Sequence, residues 1–170
     1  MCLVTKYPGP NVKAYSVPNR LRTEWRISVV AQVCKILQIM HAHSFVHNDL
    51  KTASVCIRMS EEGPKVTLIN FGLTLIDGSF PRLMIDYNKR WLYAPEILNG
   101  QNPGPCSSLS DAYSVGNLLY HLLDGPQMPV ILNRWFNKSQ DVNPKNRSDL
   151  GSLCEALTEE KIRWRHLKHL

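Results

Sequence analysis

The sequence predicts a mainly α fold with a small antiparallel β-hairpin sheet. Three observations predict it. Apolar residues recur at helical spacing over two long stretches, one starting near Thr23 and one near Ser110. Two short β-prone runs, Ser54–Met59 and Lys65–Ile69, flank the turn sequence Glu61-Glu62-Gly63-Pro64. Loops rich in Pro and Gly separate these elements.

Taken in order, Pro8, Gly9, Pro10 and Pro18 mark residues 8–22 as a loop. Thr23 is the candidate N-cap of the first helix, whose stripe is Ile27, Val30, Ala31, Cys34, Leu37 and Met40 or Ala42. That helix should end between His41 and Ser44. Val46 begins a short stretch broken by polar residues, and the hairpin follows it. Residues 72–93 show no clean period. Ala94–Leu98 reads as one short helix with Pro95 in its first turn. Gly100, Pro103, Gly104 and Pro105 make another loop. Ser110 is the candidate cap of the second long helix, with Val115, Leu118, Leu119 and Leu122 as its stripe and Gly125-Pro126 as its stop. Two smaller helices close the chain. One carries Val130, Ile131, Trp135 and Phe136; the other, with Ser148 as cap, carries Leu150, Leu153, Cys154 and Leu157.

Composition narrows the function classes. The 170 residues fit one domain with a real core. Apolar residues are 44% and charged residues 20%, which is globular rather than disordered composition. No run is long enough to span a bilayer. The start lacks a secretory pattern and the glycine that myristoylation requires, and the end lacks a prenylation box. The expectation is a cytoplasmic chain without membrane attachment. Five cysteines at wide spacing include no CxxC pair, so free thiols in a reducing compartment are the plain reading. His41 and His43 are two apart, which does not place them on one helical face. Lys and Arg exceed Asp and Glu by 20 to 14, with the excess concentrated at 161–169. That tail suits a nucleic-acid or acidic-membrane patch or, more plainly, a solvated, partly frayed terminal helix, and nothing else in the chain resembles a nucleic-acid motif.

Four short strings in a fixed order carry the chemistry: His47-Asn48-Asp49-Leu50-Lys51, Asn70-Phe71-Gly72, Ala94-Pro95-Glu96, and Asp111-Ala112-Tyr113-Ser114-Val115-Gly116. Their order and contexts resemble the C-terminal lobe of a eukaryotic protein kinase, whose signatures run H-R-D-L-x-x-x-N, D-F-G and A-P-E. Asn143–Ser148 resembles the family's late D-P-x-x-R-P segment. The wording is closest to serine/threonine or tyrosine-kinase-like kinases. The resemblance implies a protein-kinase-like C-lobe over 10–157, a hinge-like strand and linker over 1–9, a basic tail over 158–170, and an absent N-lobe.

The resemblance also assigns roles. Asp49 takes the base position and Lys51 that of the phosphate-directed lysine. Asn70 stands where the family has its main metal-binding Asp, and Ser54 where it has the Asn that binds the second metal. A neutral amide oxygen and a short hydroxyl are poorer Mg²⁺ ligands than the groups they replace. Asn48 replaces the Arg that reads activation-segment phosphate. Thr5, Lys6, Tyr7 and Pro8 form the nucleotide hinge, with Thr5 as gatekeeper. Pro8 falls where a backbone N–H would meet adenine, and proline has none. His47 and Phe71 match the lower regulatory spine, and Asp111 matches the aspartate that ties down the catalytic loop. Glu96 and Arg147 match a buried ion pair whose disruption costs roughly 3–5 kcal/mol. Thr74, Ser79 and Tyr87 are possible phosphosites, with Lys89 or Arg90 as possible phosphate partners. The family's helix between the second long helix and the Val130–Phe136 helix is deleted or collapsed.

Three functions follow. The first is a catalytically impaired pseudokinase acting as a protein-binding or scaffold module, with ATP and Mg²⁺ implied by the family but not productively bound. The second is a truncated serine/threonine-type kinase that transfers phosphate to protein hydroxyls and whose N-lobe is missing. The third is a basic nucleic-acid-binding helical domain. Each lost electrostatic element costs on the order of 10²-fold in rate, which favours the first. A lobe without its N-terminal half also exposes apolar surface, which calls for a protein partner.

Overall fold

A computed structural model describes residues 7–15, 22–81, 92–98 and 103–167. Thr5, Lys6, Tyr87, Lys89 and Arg90 lie outside the described residues. Five α-helices and two small antiparallel sheets make up the described fold: α1 Thr23–Ala42, β1 Phe45–Val46, β2 Val55–Ser60, β3 Gly63–Leu68, β4 Leu75–Ile76, α2 Pro95–Leu98, α3 Ser108–Leu122, α4 Val130–Ser139 and α5 Leu150–Leu167. This is the architecture of a kinase C-lobe-like α+β fragment.

Helix α1 is the centre of the packing. Its buried face is Ile27, Val29, Val30, Val33, Cys34 and Leu37. Against it lie β3, α3 and α5, and α4 fills the angle between α3 and α5. Thr23 is the first helical residue rather than the cap; Arg22 holds the cap position and makes no side-chain cap bond there. The helix therefore rests on tertiary burial rather than on its N-terminal signal.

In the hairpin, β2 and β3 pair from Val55↔Leu68 to Ser60↔Gly63. The strands extend further into the predicted turn than expected, leaving only Glu61 and Glu62 as turn residues. Pro64 sits inside β3, opposite Met59. A proline is tolerated there because the sheet has two strands and both are edges. From α1, Gln32 Nε2 donates to the Pro64 carbonyl at 2.8 Å, and the Val66 N–H donates to Gln32 Oε1 at 3.1 Å. One side chain thus satisfies the edge that the hairpin leaves open. On the other edge the Ile57 N–H donates to the Pro10 carbonyl at 2.9 Å, and Asn11 bridges Cys56. Gly9 allows this approach: its φ is +99°, and a Cβ there would lie 2.5 Å from the Ile57 carbonyl oxygen.

The second sheet, β1 with β4, was not expected from the sequence. It pairs Phe45↔Ile76 and Val46↔Leu75. Two-residue strands carry no readable period. Val46, Ala94, Ile97 and Cys106 form a small second core, with Leu75, Tyr93 and Tyr113 packed on it.

Helix α3 is capped by Ser107, not Ser110. Ser107 Oγ accepts from the Leu109 N–H, while Ser110 Oγ accepts from the Ser107 N–H. The two serines form a capping box in which Ser110 is the third helical residue. Helix α3 stops at Leu122, before the Gly125-Pro126 stop. Gly116 lets α4 approach α3, since a Cβ there would sit 2.3 Å from Ser139 Oγ. Between α3 and α4 the chain makes a three-residue 3-10 turn, Gly125–Gln127, and no longer helix. The start of α5 is capped by Asp149 rather than Ser148: Asp149 Oδ1 accepts from the Ser152 N–H at 2.8 Å. Helix α5 runs to Leu167, so the boundary drawn after Leu157 falls inside a helix.

Candidate functional site

The loop after β1 begins with His47, Asn48 and Asp49, and Asp111 holds it. Asp111 sits in the first turn of α3 with no exposed surface. Its Oδ2 accepts from the His47 N–H at 2.9 Å and its Oδ1 from the Asn48 N–H at 3.0 Å. His41, in the last turn of α1, adds its Nε2 at 2.8 Å from Oδ2. A buried carboxylate thus satisfies donors from three directions and sits at a helix N-terminus, where negative charge is favoured. Asn48 adopts φ 61°, and asparagine is among the few residues that tolerate that left-handed conformation. Its Nδ2 donates to the Val46 and Leu73 carbonyls, so it braces the loop from within.

His47 is wholly buried. The Asp49 N–H donates to His47 Nδ1 at 3.2 Å, which makes Nδ1 an acceptor and leaves Nε2–H to donate to the Ile69 carbonyl at 3.2 Å. That is one neutral tautomer. The His47 and Phe71 rings lie 5.3 Å apart, so the two residues matched to the regulatory spine do meet. Phe71 is nevertheless 50% exposed, so the stack stops at the surface of the described chain.

The Asp49 carboxylate accepts three hydrogen bonds from two side chains. Lys51 Nζ donates to Oδ1 at 2.7 Å and to Oδ2 at 2.9 Å. Tyr93 Oη donates to Oδ1 at 2.9 Å. Burial, then the hydrogen bond to Asp49 and its negative charge, push the Tyr93 phenol up to about 12. The Tyr93 phenolic O–H therefore occupies an acceptor site on Asp49 Oδ1 alongside Lys51.

The two metal positions are close together and bonded internally. Ser54 Oγ donates to the Asp49 carbonyl at 2.7 Å and is buried. Asn70, at φ 67°, directs its Nδ2 to Ser54 Oγ at 3.5 Å. The Ile69 N–H donates to the Ser54 carbonyl at 2.9 Å. The donor set here is one neutral amide and one hydroxyl whose proton goes to the Asp49 carbonyl. Among the described residues no three His, Cys, Asp or Glu side chains gather in a metal-binding group. A neutral amide and a hydroxyl bring no negative charge to offset a Mg²⁺ ion, which is usually held by carboxylates and substrate phosphates.

Behind the site, Glu96 and Arg147 form a bidentate pair, with Nη1–Oε1 and Nη2–Oε2 both at 2.7 Å. Arg147 also donates to the carbonyls of Leu109, Asp141 and Val142. Its guanidinium lies 5.1 Å from the Tyr113 ring centre. Ser110 Oγ donates to Glu96 Oε1 at 2.8 Å. Burial alone would raise the Glu96 carboxyl. Hydrogen bonds from Arg147, its own backbone and Ser110, with the Arg147 charge, outweigh burial and hold it below the usual range.

Of the hinge residues, Tyr7 and Pro8 are described. The Tyr7 carbonyl accepts from Arg58 Nη2, and the Tyr7 side chain is exposed. Thr74 follows the 3-10 turn Phe71–Leu73, and its N–H donates to the Phe71 carbonyl. Ser79 lies next to Phe80, and its carbonyl accepts from the Cys106 N–H at 2.8 Å. His41 and Tyr93 are the site residues that sequence reasoning missed. Tyr93 falls in the stretch without a period, just before Ala94-Pro95-Glu96, and His41 carries no local signal because its partner is seventy positions away.

The family model for the protein kinase domain matches residues 1–165. The serine/threonine-protein kinase A-Raf of Homo sapiens is 31% identical over 103 residues, 58% of this chain and 16% of that protein. The RAF proto-oncogene serine/threonine-protein kinase of Xenopus laevis is 30% identical over a stretch of the same length. A calcium and calcium/calmodulin-dependent serine/threonine-protein kinase of Oryza sativa subsp. japonica is 30% identical over 107 residues, 62% of this chain and 20% of that protein. The matched stretch thus spans a fifth or less of these relatives.

Proposed function

This chain belongs to the protein kinase domain family, and from that premise we propose that it is a catalytically impaired kinase-like C-lobe acting as a protein-binding or scaffold module. The observation that carries this reading is the pairing of Asn70 with Ser54. Both positions matched to the family's metal sites are neutral, and the bond between them is the one from Asn70 Nδ2 to Ser54 Oγ, whose own proton goes to the Asp49 carbonyl. Architecture favours the same reading, because the groups that hold the lobe together are intact: Asp111 on the loop, and Arg147 on Glu96. Exposed Phe45, Phe71, Ile76 and Phe80 supply apolar surface of the kind that protein partners cover.

A second reading, a serine/threonine-type kinase acting with an N-lobe, is favoured by one observation. Asp49 and Lys51 keep the family's base and lysine side by side at 2.7 Å. Transfer from radiolabelled ATP to a generic protein substrate tests the proposal. The proposal expects no Asp49-dependent transfer from this chain, even with Mg²⁺ or Mn²⁺. Transfer that Asp49→Ala abolishes would overturn it in favour of the kinase.

A further inference from the structure

Away from the Asp49 loop, the contact between α1 and α5 holds two facing thiols. Cys34 lies on the inward face of α1 with no exposed surface. Cys154 is half-buried on α5. Both are reduced, and the two side chains are hydrogen-bond partners. One turn along α1 from Cys34, Gln38 Oε1 accepts from the Cys154 thiol at 3.7 Å. Cys154 therefore faces positions i and i+4 of α1. It also opens on a groove of roughly 190 Å³, lined in addition by Ser28, Gln32, Lys35, Thr158 and Lys161.

The pair is asymmetric. The bond from Cys34 draws the Cys154 thiol down to about 7; burial opposes this, Lys35 assists, and Asp149 and Glu155 oppose. The bond to Cys154, then burial, hold the Cys34 thiol well above its usual range. Cys154 is the thiol open to the groove, and Cys34 lies fully buried beneath it. That is the division between an attacking and a resolving thiol.

We propose that Cys154 and Cys34 form a redox-active dithiol: a hydroperoxide entering the groove oxidises Cys154, and Cys34 then closes a disulfide between α5 and α1. In the first step the Cys154 thiolate attacks a peroxide oxygen. The O–O bond breaks, sulfur is oxidised to sulfenic acid, and the departing oxygen leaves as water or alcohol after taking a solvent proton. In the second step Cys34 sulfur attacks Cys154 sulfur. The S–O bond breaks, and the hydroxyl leaves with the Cys34 proton as water. The bridge ties the C-terminal helix to the helix that carries His41 to Asp111.

The test uses the full chain with Cys2→Ser, so that the thiol outside the described residues contributes nothing. After limited hydrogen peroxide, intact mass without reductant should fall by two hydrogen atoms, and peptide mapping should join Cys34 to Cys154. With Cys34→Ser the bridge should vanish, and dimedone should trap a sulfenic acid on Cys154. Before oxidation, iodoacetamide at pH 7 should label Cys154 on the order of tenfold faster than Cys56. A bridge that includes Cys56 or Cys106, no mass loss, or a dimedone adduct on another cysteine would overturn the proposal. If Cys34→Ser does not fold, the labelling rates decide, and Cys154 reacting no faster than Cys56 overturns it as well.

Discussion

Arg147→Ala is the sharpest probe of how this lobe is held together. The wild-type guanidinium donates to both Glu96 oxygens at 2.7 Å and to three backbone carbonyls, and its side chain has no exposed surface. Truncation leaves the Glu96 carboxylate, 12% exposed, without its counter-charge. Breaking a buried pair from one side costs roughly 3–5 kcal/mol. For a chain of this size each kcal/mol moves the melting midpoint by about 2–4 °C, so the variant should melt about 6–20 °C lower at pH 7. The deficit should also depend on pH. Glu96 is held below its usual range in the folded wild type, so the pair's stabilisation is complete above the unfolded carboxyl pKa near 4.5 and is lost as pH falls through the lower folded value. In the variant the Arg147 contribution is gone and burial raises the same carboxyl, so acid relieves the buried charge. Melts followed by circular dichroism should therefore show the gap between wild type and variant narrowing from pH 7 towards pH 4. A drop below about 2 °C, or a gap unchanged with pH, would refute the reasoning. The pair would then be a surface-like contact of little worth.

Asp111→Asn presents an amide N–H to one of the two buried loop N–H groups that now donate to the carboxylate. The loss should be about 1.5–3 kcal/mol, or about 3–12 °C in melting, and an unchanged midpoint would contradict the anchoring role. The Tyr93 phenol should titrate near 12, read as the near-ultraviolet difference between wild type and Tyr93→Phe. Because its folded pKa is raised, the stabilisation of the Tyr93–Asp49 contact is present below the ordinary phenol range and fades as pH rises through that value. Asp49→Asn should move the midpoint down, and a midpoint insensitive to Asp49 would disconnect the two residues.

The long elements were legible because burial and period coincide in them. In α1, Ile27, Val30, Cys34 and Leu37 are both the sequence stripe and the buried face. The hairpin was legible from its turn residues, although the pairing continues through Gly63 and Pro64. Caps were less so. Ser107 and Ser110 are both capping types three residues apart, and only the direction of their hydrogen bonds decides which is the cap. Ser148 beside Asp149 posed the same choice. The kinase-like strings located Asp49, Lys51, Asp111, Glu96 and Arg147, and the structure brings these into two linked clusters. What sequence could not supply was occupancy. That Tyr93 bonds Asp49 and that Cys34 meets Cys154 depend on chain segments far apart in sequence, and that Ser54 turns its hydroxyl to the Asp49 carbonyl depends on how the loop between them folds.

The central claim is that the lobe keeps its architecture while Asn70 and Ser54 no longer support metal-dependent nucleotide binding. A thermal-shift comparison of MgATP with ATP plus chelator tests it most directly. A nucleotide held at 100 times its dissociation constant would add about 2.7 kcal/mol, or roughly 5–11 °C here. The account predicts no magnesium-dependent shift. A rise of that size with MgATP, absent with chelator and lost in Asn70→Ala, would contradict it.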